Sequence, residues 1–307
     1  MNDDLFGSTY TAPVEGGELA YGQAGPAPGA ADAVVVALHG IAGNRMAWRS
    51  VARAMASVPR VTIIAPDLRG RADSAGLPGP FGITSHVADV LALLEHVGAA
   101  TAVLAGHSMG AYVAARLAAE RPERVAGVVL VDGGIPVHEL DEDSAAAARA
   151  VVIGPAAARH ALTFASADAY VDFSRQHPGL SEAWNDDVEA YVLHDLGGKA
   201  GSYRYVVNLE AIEIDAEDML SDRANRIAID EAHAPVHLLR APLGAFNDGH
   251  PLVPRVDLDN FIVLHPGAEV EEVPGVNHYT VLLGNSAGPQ HVAAAILAAI
   301  RPSRGPV

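Results

Sequence analysis

The sequence of this 307-residue chain predicts an α/β fold: a mostly parallel sheet of about eight strands, helices on both faces, and a helical cap insertion. Three observations carry that reading. Short, continuous apolar runs rich in Val and Ile recur through the first half. Stretches with helical spacing separate them. The alternation then stops near residue 135 and resumes near residue 235.

The elements follow in order. Residues 34–38 (VVVAL) form an uninterrupted apolar run, as expected for a parallel strand buried on both faces. Residues 44–58 place Met46, Trp48, Val51, Ala52 and Met55 at helical spacing. A second strand is expected at 61–65 (VTIIA), then a helix at 83–97 with Val87, Val90, Leu91 and Leu94 on one side. A third strand at 101–105 precedes an Ala-rich helix at 108–120, closed by Arg121 and Pro122. A fourth strand lies at 125–131 (VAGVVLV). Strand and helix alternating at this spacing mean βαβ units, whose right-handed crossovers leave few topologies.

Residues 135–226 read as helical and more polar, and they concentrate aromatics: Phe164, Tyr170, Phe173, Trp184, Tyr191, Tyr203 and Tyr205. These either form a small core of their own or line an apolar pocket facing the rest. Strand-like pattern returns at 235–239, 261–264 and 270–273, before a last helix at 290–300 and a frayed end at 301–307. The division expected is therefore a core of 1–134 with 227–307, and a cap of 135–226.

Composition removes several function classes. Half the residues are hydrophobic and 19% are charged, which excludes a disordered chain. The net charge of −17 argues against nucleic acid and against anionic membrane surfaces. With no cysteine, disulfides, thiolate metal sites and Cys nucleophiles are excluded. The opening MNDDLFGSTY lacks an apolar signal segment, and no apolar stretch approaches the ~20 residues of a membrane span. A cytoplasmic protein acting on a small molecule is expected. No HExxH, EF-hand, nucleotide-binding GxGxxG or GxxxxGK[ST] pattern occurs, so no metal or cofactor is expected. The sequence does not address oligomeric state.

The segment Gly106-His107-Ser108-Met109-Gly110 follows an apolar strand and opens a helix. Alone, GxSxG is a weak signal; in this context it describes a sharp strand-to-helix turn that lifts the Ser oxygen above the sheet. The flanking glycines permit close approach, and the helix start offers free N–H groups and a positive dipole end. An oxyanion hole needs two such donors. Met109 supplies one, and Ile41, in His39-Gly40-Ile41-Ala42-Gly43 after the first buried strand, supplies the other. The base expected among fourteen histidines is His278, on the loop before the last helix, with Asn277 beside it as a turn former. His39 is expected to brace the oxyanion loop.

Together, the strand–HG, strand–DLRGRADS (67–74), strand–GHSMG, strand–VDGG (131–134) and GVNHYT (275–280) segments resemble the α/β-hydrolase superfamily, in its serine esterase and lipase-like form with a helical cap. The resemblance implies Ser108 as nucleophile and makes Asp67 a structural brace. For the acid it leaves two positions. The place after the seventh strand reads HLLRAPLG (237–244), without a carboxylate, and Asp248 follows four residues on. Asp132, at the end of 125–131, is the preferred acid, since some relatives carry it there. The implied activity is hydrolysis of carboxylic esters of apolar, small-to-medium substrates through an acyl-enzyme. Relatives with the same machinery cleave lactones, amides or C–C bonds, and some are ligand receptors with little turnover. Epoxide and haloalkane hydrolysis in this superfamily use an Asp nucleophile, which Ser108 argues against.

Overall fold

The computed structural model describes residues 5–136 and 142–300; the expected frayed end at 301–307 lies outside them. The chain opens with β1 (Tyr10–Val14), β2 (Gly17–Ala24) and β3 (Ala33–Leu38). Next come α1 (Arg49–Ala54), β4 (Val61–Pro66), α2 (Ile83–His96), β5 (Ala102–His107), α3 (Met109–Glu120) and β6 (Val125–Val131). Then follow α4 (Glu142–His160), α5 (Ala167–Ser174), α6 (Asp186–His194), a short ladder of β7 (Leu196–Gly197) and β8 (Arg204–Tyr205), α7 (Leu209–Ser221) and α8 (Arg223–Arg226). β9 (Val236–Arg240), α9 (Arg255–Leu264), β10 (Glu269–Glu272) and α10 (Gly288–Ile300) complete it.

Eight strands form one sheet in the order β1-β2-β4-β3-β5-β6-β9-β10. The β1–β2 and β2–β4 pairs are antiparallel, and the others run parallel. Successive side chains of the central strands enter different cores. Val34, Val36 and Leu38 pack with α2 and α3, whereas Val35 and Ala37 pack with α1 and α10. Both faces are therefore covered, which is why these strands read as continuous apolar runs.

Two elements differ from the sequence expectation. The β1–β2 hairpin was not anticipated: an edge hairpin carries a mixed pattern, and only Ala12 of β1 is buried. The run 261–264 is not a strand but the end of α9. Leu258 and Phe261, three residues apart, point inward, while Ile262, Val263 and Leu264 are exposed. A short apolar run does not by itself distinguish strand from helix.

The segment between β6 and β9 is tied to α1 and α2 through carboxylates. Asp187 of α6 accepts from Ser50 Oγ at 3.1 Å, Arg49 Nε at 3.1 Å and Arg53 Nη2 at 2.8 Å. Asp215 and Asp218 of α7 accept from the Gly82 and Ile83 amides, both at 2.6 Å, at the start of α2. There they satisfy helix N–H groups that have no intrahelical acceptor. Burial alone would raise the Asp187 carboxyl, but its bonds from Arg53, Arg49 and Ser50 prevail and hold it below the usual carboxylate range.

Asp187→Ala is expected to lower stability by about 1–3 kcal/mol, since half-exposed Arg53 is partly screened by solvent. The loss should register in urea denaturation, with faster hydrogen exchange confined to α6. Because the folded pKa is lowered, this contribution is complete above the unfolded carboxylate value and fades as pH falls through the folded one. The mutational difference should accordingly shrink at low pH. A variant as stable as wild type at pH 7 would contradict the tie.

Candidate active site

The turn between β5 and α3 is shaped by backbone contact. A Cβ on Gly106 would stand 2.2 Å from the Gly110 carbonyl oxygen, and one on Gly110 would stand 2.3 Å from that of Leu38. Only glycine fits either place. Strand and helix thus meet so closely that Ser108, between them, takes φ +55° and ψ −119°, a conformation L-residues rarely hold. Its N–H donates to the Val131 carbonyl at 2.9 Å, and its carbonyl accepts from Ala111 at 3.0 Å. Both backbone groups are occupied and the partly buried side chain stands on the rim.

Asp132 follows β6 directly. Its own φ of +49° turns the chain back against Ser108, and a Cβ on Gly133 would lie 3.0 Å from Ser108 Cα. The carboxylate is fully buried and has two partners. Oδ1 accepts from the Ala241 amide at 3.1 Å, and Oδ2 accepts from His278 Nδ1 at 2.7 Å. With its proton on Nδ1, His278 presents Nε2 as an acceptor. Asp248 does not make this contact; its Oδ1 accepts from the His250 amide at 3.0 Å in an exposed loop. The structure therefore brings Asp132, and not Asp248, to His278. The loop after β9 curls back on itself, so Asp248 serves its own turn.

Asn277 is the turn former expected beside the histidine. Its Oδ1 accepts from the Tyr279 and Thr280 amides, each at 2.9 Å, and its Nδ2 reaches the Gly179 carbonyl at 3.1 Å. The two expected oxyanion donors flank Ser108. Met109 is the first residue of α3, so its N–H has no intrahelical acceptor. Ile41 lies one residue beyond Gly40, where a Cβ would approach Ser108 Cβ to 3.2 Å. His39 braces that loop as expected: Nδ1 donates to the Gly40 carbonyl at 2.7 Å, and Nε2 accepts from the Leu68 amide at 2.9 Å. Asp67 is likewise a brace, buried against the Arg45 amide at 2.8 Å and the Arg45 guanidinium.

The architecture and this turn find matches among known proteins. A family model described as the alpha/beta hydrolase fold matches residues 33–180. The solved structure of E-2-(acetamidomethylene)succinate hydrolase superposes with a TM-score of 0.76 at 21% identity, over 95% of this chain and 99% of that one. The chain has the α/β-hydrolase fold. Lipase LipV of Mycobacterium tuberculosis (strain ATCC 25618 / H37Rv) is 36% identical over 115 residues, 38% of this chain and 40% of that relative. Epoxide hydrolase 2 of Siraitia grosvenorii is 36% identical over 108 residues, 34% of this chain and 33% of that relative. The match thus spans 40% or less of the length of either curated relative.

Within this α/β-hydrolase fold, two supporting residues escaped the sequence reading. His107, inside the GHSMG segment, donates from Nε2 to the His278 carbonyl at 2.8 Å, with ring centroids 4.5 Å apart. Burial, and then the neighbouring His278, pushes its pKa well below the usual histidine value, so it is a neutral strut. Arg71 donates from Nε to the Ile41 carbonyl at 2.8 Å and lies 3.9 Å from Met109 Sδ, while Asp215 of α7 pairs with it. It thereby touches both residues expected to supply oxyanion donors. Its position in DLRGRADS was the available signal, but its partners stand far off in sequence. Asp67, Asp73 and His194 converge within 4.8 Å of one another, yet Arg45 already pairs with both aspartates.

Burial pushes the His39 pKa down to about 4 from 6.5. The unfolded chain therefore binds the extra proton between those values, and the stability contributed by His39 is complete above 6.5 and lost as pH falls toward 4. Ring nitrogen NMR at pH 5.5 should find His39 neutral, with its proton on Nδ1. An imidazolium signal at that pH would contradict the assignment.

Proposed function

We propose that this α/β hydrolase cleaves carboxylic esters through a serine acyl-enzyme, with Ser108, His278 and Asp132 as its triad. The single observation that carries the proposal is the 2.7 Å contact of His278 Nδ1 with a buried Asp132, on the rim that holds the strained Ser108 turn. Ser108 Oγ attacks the ester carbonyl as His278 Nε2 removes its proton. Asp132 fixes the imidazole tautomer and stabilises the imidazolium that forms. The Ile41 and Met109 N–H groups receive the oxyanion. His278 then protonates the leaving alcohol and, in the second half, activates water against the acyl-enzyme. No step calls for a metal or cofactor. Residues 135–226 act as a cap that shapes the substrate space.

Among relatives, an epoxide hydrolase is as similar as a lipase. The chemistry of the nucleophile position separates the two readings. An alkyl-enzyme ester on the protein requires a carboxylate there, and this chain has a serine.

Ser108→Ala should lower kcat on p-nitrophenyl esters by at least about 10³ with an unchanged melting temperature. Asp132→Asn, which keeps a side chain of the same shape but favours the wrong tautomer, should cost ~10⁴, the size seen for the same change in a serine protease. Asp248→Asn should stay within about tenfold of wild type, because it perturbs only a loop. Ester turnover surviving in Ser108→Ala would overturn the nucleophile. A dead Asp248→Asn beside an active Asp132→Asn would overturn the acid.

A further inference from the structure

The helices between β6 and β9 bring a cation close to the Ser108 rim. Arg159, in the last turn of α4, stacks its guanidinium on the Tyr205 ring, 3.7 Å from the centroid. Tyr205 is buried, and its hydroxyl donates to the Ala42 carbonyl at 3.1 Å, one residue beyond Ile41. A single aromatic ring thus separates the guanidinium from the loop assigned to the oxyanion. Arg159 Nε is buried and has no hydrogen-bond partner among the described residues. Among them, too, no carboxylate lies within ion-pair distance of it.

An unsatisfied buried donor is rare in a native protein, and more so when its group is charged at every accessible pH. Asp195, buried beside α6, feels this charge, but burial outweighs the pull of Arg159 and pushes its pKa up to about 7. The field of Arg159 also extends to the catalytic loop. It offsets part of the burial-driven rise of the Tyr279 phenol, and with burial it lowers His177. Tyr279 packs against His278 with ring centroids 5.7 Å apart, and against His177 at 5.2 Å. Tyr279, which feels the Arg159 charge, thus packs directly against the imidazole assigned as base.

We propose that Arg159, on its Tyr205 platform, is an anion subsite, and that the ester substrate carries a carboxylate which this guanidinium binds. The inference rests on the ester-hydrolase reading of Ser108 and adds the substrate class: half-esters of short dicarboxylic acids, or esters with a carboxylate on the alcohol side. A guanidinium offers two parallel N–H donors to a carboxylate, giving orientation as well as attraction. It also revises the expectation of a wholly apolar pocket. The guanidinium lies against buried Tyr205, and its charge also lowers the phenols of Tyr170 and Tyr191 against their burial.

The test compares p-nitrophenyl hemisuccinate and hemiglutarate with p-nitrophenyl butyrate, in wild type, Arg159→Gln and Arg159→Lys. Wild type should prefer one of the anionic esters by tenfold or more in kcat/KM. Arg159→Gln should erase that ratio through KM, and Arg159→Lys should keep part of it. Glutarate should inhibit butyrate hydrolysis competitively in wild type, a result that needs no variant to fold. Preference for butyrate together with no inhibition by glutarate would overturn the subsite. If no ester turns over while calorimetry still finds Arg159-dependent glutarate binding, the ester reading fails and the subsite stands. If all esters turn over with a ratio indifferent to Arg159→Gln, the subsite fails and the ester reading stands.

Discussion

Three backbone segments meet at the β5–α3 turn with no room for a side chain. Gly106 faces the Gly110 carbonyl, and Gly110 faces those of Leu38 and His39. Their approach forces Ser108 into its left-handed conformation and lifts its side chain above the sheet. The central strands on either side, β3 and β6, then end at fixed distances from it, carrying the Ile41 loop and Asp132. Strain of this kind persists only when its surroundings over-determine it. Here they do, through the Val131 carbonyl on the Ser108 amide and the stack of Gly133 against Ser108 Cα.

The rest of the rim is held by groups that are neutral or fully paired. His39 and His107 are kept uncharged by burial; His39 spends both ring nitrogens on loop backbone and His107 its Nε2. Neither competes with His278 for a proton near neutral pH. Arg71 and Asp215 join the Ile41 loop to α7, while Asp187 joins α6 to α1. The segment between β6 and β9 is thus coupled to the Ile41 loop and to α1 by charged side chains. Arg159 differs from these cations in lacking a carboxylate partner among the described residues, and that difference points to a ligand.

What the sequence made legible was local. A buried parallel strand is a continuous apolar run, and the Ser108 turn is five consecutive residues flanked by its two glycines. The carboxylate that meets His278 was harder, because Asp132 and Asp248 both follow strands of the same sheet, and only the path of the loop after β9 separates them. His107 and Arg71 lay inside quoted motifs, but their roles depend on partners 171 and 30 residues away. Arg159 carried no signal at all: its meaning comes from a ring and a loop that the chain reaches only after folding. The β1–β2 hairpin was missed and the end of α9 misread for a related reason, since the edge strand β1 and a one-sided helix bury too few residues to leave a clean period.

The central claim is that the turn chemistry makes Ser108, among all hydroxyls of the chain, the nucleophile. Incubation with a fluorophosphonate followed by intact-mass and peptide mapping tests it most directly. One adduct per chain is expected, on the peptide containing Ser108, with labelling slowed sharply when Asp132 is changed to Asn. Labelling at another residue, or at Ser108 with a rate indifferent to Asp132, would contradict the assignment.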